Sequence, residues 1–184
     1  MIELGCGRKM RVEVLRLFHR CVRDHRVTTH LFLTARAFGA NGVIYSGLRD
    51  SQLEDRILRT VDVWGGPFHV EFHENWKQAV ANWKKKGGEV IHLTMYGLPL
   101  ESAIKGIKDS SRDKLVIVGG AKVPLEVYEL SDWNVSISNQ PHSEVSALSI
   151  FLHELFEGKE LSKAFKDAKI RIMPQRKGKK VVEL

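Results

Sequence analysis

The sequence predicts an α/β fold with a mostly parallel sheet and helices on both of its faces. Three observations indicate this fold. Short apolar runs alternate along the chain with segments whose apolar residues fall at helical spacing. Glycine and proline residues interrupt the chain between several of these segments, as at Gly65-Gly66-Pro67 and Gly87-Gly88. The run Lys114-Leu115-Val116-Ile117-Val118 is almost wholly apolar, which is typical of a strand covered on both faces.

The predicted elements follow one another in a regular order. The first strand covers 12–17, where apolar and charged residues alternate, and a charged turn from His19 to Arg26 follows it. The first helix then covers 27–40. The later strands are predicted at 43–45, 68–72, 90–94, 114–118 and 133–137, and the later helices at 52–64, 76–86, 99–107 and 143–156. Ser51, Asn75 and Ser143 are the expected N-terminal caps of three helices, and Pro99 opens a fourth.

Length and charge limit the possible classes of protein. A chain of 184 residues is expected to form one domain, here 10–184 after an N-terminal extension at 1–9. Lys and Arg total 29 against 22 Asp and Glu, and the net charge of +7 favours a polyanionic partner. A basic hairpin is predicted at about 168–184, where strands at 169–173 and 180–182 flank 174–179 and its tip could contact phosphates.

Membrane spans and structural metal sites are not expected. No apolar run approaches 18 residues, and the N-terminus lacks the apolar core of a signal peptide. With only two cysteines in the sequence, a reducing cytoplasm is the predicted compartment. The two cysteines, Cys6 and Cys21, form no CxxC pair, which argues against a disulfide scaffold, a zinc site or an iron–sulfur cluster. His69 and His73 would stand about 13 Å apart in a strand, too far to share an ion.

Three loops that follow predicted strands are candidate ligand sites, because ligands bind beyond the carboxyl ends of parallel strands. The loop after the fifth strand, 119–124, begins with Gly119-Gly120, which would let a ligand lie against the backbone. It matches neither a P-loop nor a dinucleotide-binding fingerprint, and an ordinary tight turn is the alternative interpretation. The loop at 94–98 contains Gly97 and allows the same two interpretations.

The loop at 138–144 is unusually polar for a short connection. Ser143 is expected to cap the helix that follows it. His142 stands beside Ser143, but the GxSxG motif of a nucleophilic serine is missing, so a hydrolase is not favoured. A helix cap together with a backbone cradle for a ligand is the preferred interpretation.

Several segments together resemble one family. They are Arg23-Asp24-His25-Arg26-Val27-Thr28-Thr29-His30, Leu33-Thr34-Ala35-Arg36-Ala37-Phe38-Gly39-Ala40, Trp64-Gly65-Gly66-Pro67-Phe68, His92-Leu93-Thr94-Met95-Tyr96-Gly97-Leu98, Gly119-Gly120-Ala121-Lys122-Val123-Pro124 and Asn139-Gln140-Pro141-His142-Ser143-Glu144-Val145. In these segments the chain resembles the archaeal tRNA ribose 2′-O-methyltransferases that modify cytidine 56 in the T loop. That family is part of the SPOUT superfamily. The resemblance extends from about Met10 to the end of the chain.

The resemblance implies a SPOUT-type fold with a C-terminal trefoil knot, a homodimer packed through the knot, and a tRNA substrate. It also implies S-adenosylmethionine bound within the knot. The residues that the motifs assign to the cofactor are Leu93, Gly119, Gly120, Ala121, Lys122, Val123, Ile137, Ser138, Asn139, Gln140, Pro141, His142, Ser143 and Glu144. They lie in or beside the three loops already singled out.

The resemblance breaks at one position. Where related ribose methyltransferases of the superfamily carry a motif arginine, this chain has Leu33. Arg26 is the expected catalytic replacement and Arg23 the second candidate. An arginine is already protonated at neutral pH and is therefore a poor proton acceptor, so Arg26 is interpreted first as a phosphate clamp or a stabiliser of the developing oxyanion. Two alternative functions stay open: methylation of another RNA site, and RNA binding without catalysis.

Overall fold

A computed structural model describes residues 10–120 and 122–184. The predicted extension at 1–9, with Cys6, and the cofactor candidate Ala121 lie outside the described residues.

The main sheet contains β1 (Val12–His19), β2 (Gly42–Gly47), β3 (His69–Phe72), β4 (Glu89–Pro99), β5 (Lys114–Val118) and β6 (Trp133–Ser136). Its strand order is β3-β2-β1-β5-β4-β6, and every neighbouring pair is parallel. The predicted parallel α/β sheet is thus confirmed.

Helices cover both faces of this sheet. They are α1 (Cys21–Ala37), α2 (Ser51–Trp64), α3 (Trp76–Lys85), α4 (Leu100–Asp109), α5 (Leu125–Leu130) and α6 (Glu144–Phe156). One apolar cluster packs α1, α2, α4 and α6 against the sheet, and a second cluster packs α3 and α5. A short 3₁₀ helix (Lys159–Ser162) leads to the hairpin of β7 (Ile170–Met173) and β8 (Lys180–Glu183), whose antiparallel pairing confirms the predicted hairpin.

The predicted charged turn from His19 to Arg26 is wrong, because α1 already begins at Cys21. The Asp24 carboxylate accepts hydrogen bonds from the backbone N–H of Arg20 at 3.2 Å and from its side-chain Nε at 2.9 Å. These contacts satisfy hydrogen-bond donors at the start of the helix. The negative charge of Asp24 at this end also interacts favourably with the helix dipole. The charged run is therefore the first part of a helix rather than a loop.

The central position of β1 explains why its charged residues are buried. β1 lies between β2 and β5, and Arg16 is in register with Tyr45 on one side and with Val118 on the other. Glu13 and Arg16 are both almost completely buried, although they alternate with apolar residues along the strand. Arg16 consequently lies inside the sheet near its carboxyl edge.

Other boundaries differ more modestly from the predictions. β4 extends to Pro99 instead of ending at 94, with an irregularity in which Leu93 and Leu98 are both opposite Val135. The six-residue α5 was not predicted, and Asp50 rather than Ser51 caps α2. The caps at Asn75 and Ser143 are confirmed, since their side chains accept backbone N–H groups of α3 and α6. No helix within the described residues has the length and apolar character needed to cross a membrane.

Candidate cofactor and RNA site

The strand order brings the three candidate loops to one edge of the sheet. β5, β4 and β6 are neighbours and run in the same direction, so the loops that follow them leave the sheet side by side. The carboxyl end of β1 is next to that of β5. After β1 the chain crosses to β2, toward one edge of the sheet, and after β5 it crosses to β6, toward the opposite edge. The two crossing connections therefore lead away from each other at the boundary between β1 and β5. Ligands of open parallel sheets bind at such a crevice.

The loop inside β4 is fixed by a close approach of two backbones. Residues 94–97 leave the ladder with β6, and pairing resumes at Leu98. A Cβ atom on Gly97 would lie 2.5 Å from backbone atoms of Asn134 and Val135, so a side chain at this position does not fit. The side chain of Leu93 is buried in the main apolar cluster. Any contact from Leu93 to a ligand would therefore use its backbone.

The loop after β5 contains two glycines with different surroundings. A Cβ atom on Gly119 would meet Cγ2 of Val123 at 2.2 Å. Apart from Gly120 and its chain neighbours, the only described atom within 4 Å of a Cβ atom on Gly120 would be Arg16 Nη2, at 3.8 Å, so this Cβ would point into space beside that guanidinium. Lys122 is exposed, and Val123 packs against the cluster that holds α3 and α5. Gly120 is the position at which a ligand could reach the backbone.

The loop after β6 is exposed and partly organised by its own hydrogen bonds. Gln140 donates its backbone N–H to Ser138 Oγ at 3.2 Å, and His142 Nδ1 lies 2.7 Å from the Gln140 carbonyl oxygen. Ser143 Oγ accepts the N–H of Val145 at 3.2 Å. The Ser143 hydroxyl thus caps α6, which agrees with the sequence interpretation and disfavours a serine nucleophile. The other predicted contacts here are the half-buried Ile137 and Glu144 and the exposed Asn139 and Pro141.

Arg16 is a residue of this region that the sequence did not single out. Its side chain is 3% exposed, and Nη1 donates to Glu144 Oε1 at 3.3 Å. Its buried Nε has no hydrogen-bond partner among the described residues. The feature of the sequence that could have drawn attention to Arg16 is a basic residue within the first apolar strand. Its burial could not be predicted from that feature, because it depends on the central position of β1 in the sheet.

The predicted catalytic arginines lie elsewhere. Arg23 and Arg26 are both exposed on α1, near its first turns. Within the described part of the chain, neither side chain makes a hydrogen bond or an ion pair. The structure therefore places them where a large partner such as RNA could reach them, but does not bring them into the three loops.

A second group that the sequence analysis missed joins the ends of β1 and β2. His19 Nδ1 lies 3.0 Å from Thr28 Oγ1, and His19 Nε2 lies 3.2 Å from Asp50 Oδ2. His25 Nδ1 lies 2.9 Å from the same carboxylate oxygen. Burial lowers the pKa of His19. Although burial alone would raise the pKa of Asp50, hydrogen bonds from His25, Leu53 and His19 bring that pKa below its usual value.

This network holds the start of α1 against the start of α2. Potential ligand atoms of His19, Cys21 and Asp50 lie within 4.8 Å of one another, the one such grouping with metal-binding residue types in the described part of the chain. The nitrogen of His19 and the oxygen of Asp50 in this group already bond to each other, so their shared role in the structure is to connect elements. Residues 19 and 50 meet only because β1 and β2 are neighbours, which no local pattern reveals.

The region around Gly120 fits the cofactor that the resemblance implies. Arg16, whose buried Nε has no partner among the described residues, places its Nη2 3.8 Å from the position of a Cβ atom on Gly120, at the carboxyl edge of the sheet. The carboxylate of S-adenosylmethionine can pair with such a cation, and the flat part of the molecule can pack closely against a backbone that carries no side chain. A shallow, open depression also lies beside β3, lined by Glu71, Phe72, His73, Glu74, Asn75 and Gln78. Its acidic lining suits neither a carboxylate nor RNA, so the three loops are favoured.

Comparison with known proteins identifies the family. The family described as "tRNA ribose 2′-O-methyltransferase, aTrm56" matches residues 64–182. The tRNA (cytidine(56)-2′-O)-methyltransferase of Methanothermobacter thermautotrophicus is 54% identical over 175 residues, which are 95% of this chain and 98% of that protein. The protein of the same name from Thermococcus kodakarensis is 50% identical over 180 residues, covering 96% of this chain and 99% of its own.

Solved structures show the same fold at much lower identity. The SpoU methyltransferase AviRb from Streptomyces viridochromogenes, in complex with AdoMet, has a TM-score of 0.58 at 16% identity and covers 84% of this chain and 60% of its own. The TrmH/SpoU tRNA modifying enzyme of A. aeolicus has a TM-score of 0.59 at 14% identity, covering 83% and 80%. The fold is thus of the SPOUT type, and the chain belongs to the family of tRNA ribose 2′-O-methyltransferases.

Proposed function

We propose that this protein transfers the methyl group of S-adenosylmethionine to the ribose 2′-hydroxyl of cytidine 56 in tRNA. The observation that carries this proposal is the 54% identity, over nearly the whole of both chains, to a relative named for that reaction. A neighbour in fold that was crystallised with AdoMet supports the choice of cofactor. The net charge of +7 suits a polyanionic substrate.

The cofactor is proposed to lie across the three loops at the carboxyl edge of the sheet. Leu93, the segment from Gly119 to Val123 and the segment from Ile137 to Glu144 would hold it. Gly120 contributes an accessible backbone, and the capped N-terminus of α6 fixes the end of the third segment. S-adenosylmethionine supplies an electrophilic methyl group to this site. The chain must align it with the ribose hydroxyl and keep competing water away.

Arg26 is proposed to act on the substrate side, with Arg23 in support. Both are exposed on α1, which follows the strand next to β5. Neutralising an arginine at pH 7 costs roughly 7 kcal/mol, so a fixed positive charge near the developing oxyanion or a phosphate is the better role. The proton of the 2′-hydroxyl would then pass to solvent or to a phosphate oxygen that Arg26 holds.

The assembly and the cellular setting are further parts of the proposal. The family resemblance favours a homodimer packed through a trefoil knot, and a tRNA substrate favours the cytoplasm. The basic hairpin of β7 and β8 is exposed along most of its length and is proposed to meet tRNA or the second subunit. Its charge at Arg176, Lys177, Lys179 and Lys180 suits phosphate contacts.

Methylation of defined tRNA tests the proposed function. A tRNA transcript is incubated with labelled S-adenosylmethionine, digested and mapped by nucleoside, with a matched transcript that carries a 2′-deoxy sugar at position 56 as control. The proposal predicts 2′-O-methylcytidine in the first transcript and no label in the control. Label at another nucleotide would favour the alternative of a different RNA site. RNA binding without label would favour a binding protein.

A further inference from the structure

Most of the hydrogen-bonding capacity of the buried Arg16 guanidinium is unused. Its one hydrogen bond within the described residues is the 3.3 Å contact of Nη1 with Glu144 Oε1. The buried Nε has no partner among the same residues. A guanidinium carries five N–H donors, and buried polar groups are nearly always hydrogen-bonded. A cation with free donors at 3% exposure therefore indicates an acceptor that the described residues do not supply.

Arg16 also stands between two of the segments proposed to hold the cofactor. It pairs in register with Val118, the residue just before Gly119. Its Nη2 lies 3.8 Å from the place that a Cβ atom on Gly120 would take, and Glu144 is the first residue of α6. The free donors thus lie at the junction of the loop after β5 and the start of α6.

The other buried arginine of the described chain has different surroundings. Arg36 donates from Nη2 to the carbonyl oxygen of Gly65 at 2.6 Å, and its guanidinium stacks 4.4 Å from the ring centre of Phe165. It lies in the last turn of α1, which returns toward the amino edge of the sheet. The Nε of Arg36 has no partner among the described residues either, so the two arginines differ in their terminal nitrogens and in the guanidinium face. Arg36 has a short bond and a ring face, whereas the one hydrogen bond of the Arg16 side chain is 3.3 Å long. Arg36 shows that burial of an arginine alone does not define a site.

We infer that Arg16 is an anion-binding residue of the candidate site, whose free N–H groups receive a carboxylate or phosphate oxygen of a bound ligand. The inference rests on the proposed function, which offers two sources of such an oxygen: the carboxylate of S-adenosylmethionine and a phosphate of tRNA. The planar fork of arginine matches either group through two parallel hydrogen bonds. Arg23 and Arg26, both exposed, then contact RNA outside this junction.

Paired substitutions of the two buried arginines test the inference. Arg16→Gln removes the charge and the fork, and Arg36→Gln is the matched control. For each full-length variant, the affinity for S-adenosylmethionine is measured by calorimetry, the affinity for tRNA by filter binding without cofactor, and the fold by circular dichroism. Arg16→Gln is expected to weaken at least one of the two affinities tenfold or more. The affinity for S-adenosylmethionine falls if Arg16 binds the cofactor's carboxylate, and the affinity for tRNA falls if Arg16 binds a phosphate. Arg36→Gln is expected to stay within twofold of the wild type in both.

Two results would overturn the inference. One is an Arg16→Gln variant whose two affinities both stay within twofold of the wild type, whether or not turnover falls. The other comes from Arg16→Lys, which keeps the charge but loses the fork and serves if the Gln variant does not fold. This variant is expected to lose at least threefold in one affinity, and unchanged affinities would count against the inference. A wild-type protein that neither binds the cofactor nor methylates tRNA would instead overturn the proposed function.

Discussion

Gly97 and Asn134 approach so closely that a Cβ atom on the glycine would lie 2.5 Å from the carbonyl carbon of the asparagine. This contact brings the end of β4 back onto β6 after the chain has looped out at 94–97. Backbone atoms cannot move aside as the end of a flexible side chain can. The geometry of two candidate loops thus depends on the absence of a side chain at one position.

Gly97→Ala is predicted to destabilise the protein because its methyl group would separate β4 from β6. Overpacking of this kind costs typically about 1–3 kcal/mol. Urea denaturation measures the loss of unfolding free energy. Gly120→Ala is the control, since apart from Gly120 and its two chain neighbours no described residue has a backbone atom within 4 Å of the Cβ atom it would add, and its unfolding free energy should stay close to that of the wild type. Equal stability of the two variants would contradict this account of Gly97.

Gly120→Val is predicted to weaken the binding of S-adenosylmethionine without unfolding the chain. A branched side chain would occupy the space beside Arg16 that the cofactor is proposed to use. Calorimetric titration should show at least a tenfold loss of affinity, while the circular dichroism spectrum stays that of the wild type. Wild-type affinity in a folded variant would remove this loop from the cofactor site.

Arg26→Ala is predicted to keep the affinity for the cofactor and to lose most of the turnover with tRNA. The reason is that Arg26 is exposed on α1 and free to act on RNA, while it makes no contact with the three loops in the described residues. Single-turnover methylation and calorimetry separate the two effects. Arg59→Ala, which removes an exposed positive charge from α2, is the control. Unchanged methylation by Arg26→Ala would exclude Arg26 from the mechanism.

Buried His92 is predicted to make the protein less stable in mild acid. Burial lowers the pKa of His92, so protons bind to the unfolded chain more readily than to the folded one. The stabilisation is therefore present above the ordinary histidine pKa of about 6.5 and is lost as the pH falls toward the lowered value. The slope is at most about 1.4 kcal/mol per pH unit for one histidine. His92→Gln should flatten the fall of unfolding free energy between pH 7.5 and 5.5, and a fall as steep as that of the wild type would contradict this prediction.

His69 is predicted to act in the opposite direction. Its hydrogen bond with Glu13, at 3.4 Å, raises the pKa of the imidazole. The contact therefore stabilises the fold below pH 6.5, and this stabilisation is lost as the pH rises through the raised pKa. Because nearly half of the His69 side chain is exposed, solvent screens the pair and the effect should be small. A His69→Gln variant whose unfolding free energy falls as steeply with rising pH as that of the wild type would contradict this prediction.

Local patterns were sufficient to predict the sheet, most helices and the three loops. The apolar run at Lys114–Val118, the cap at Ser143 and the glycine pair at Gly119-Gly120 each depend on near neighbours in sequence. Local patterns failed at Arg23–Arg26, because the contact of Arg20 with Asp24 turns a charged run into helix. Only the order of the strands reveals that Arg16 is buried, or that His19 meets Asp50.

The most direct test of the central claim is a crystal structure of the protein with S-adenosylmethionine. The account predicts cofactor against the backbone at Gly120, within reach of the segment from Ile137 to Glu144. Well-defined cofactor in another place, such as the depression lined by Glu71, His73 and Gln78, with the three loops empty, would contradict it.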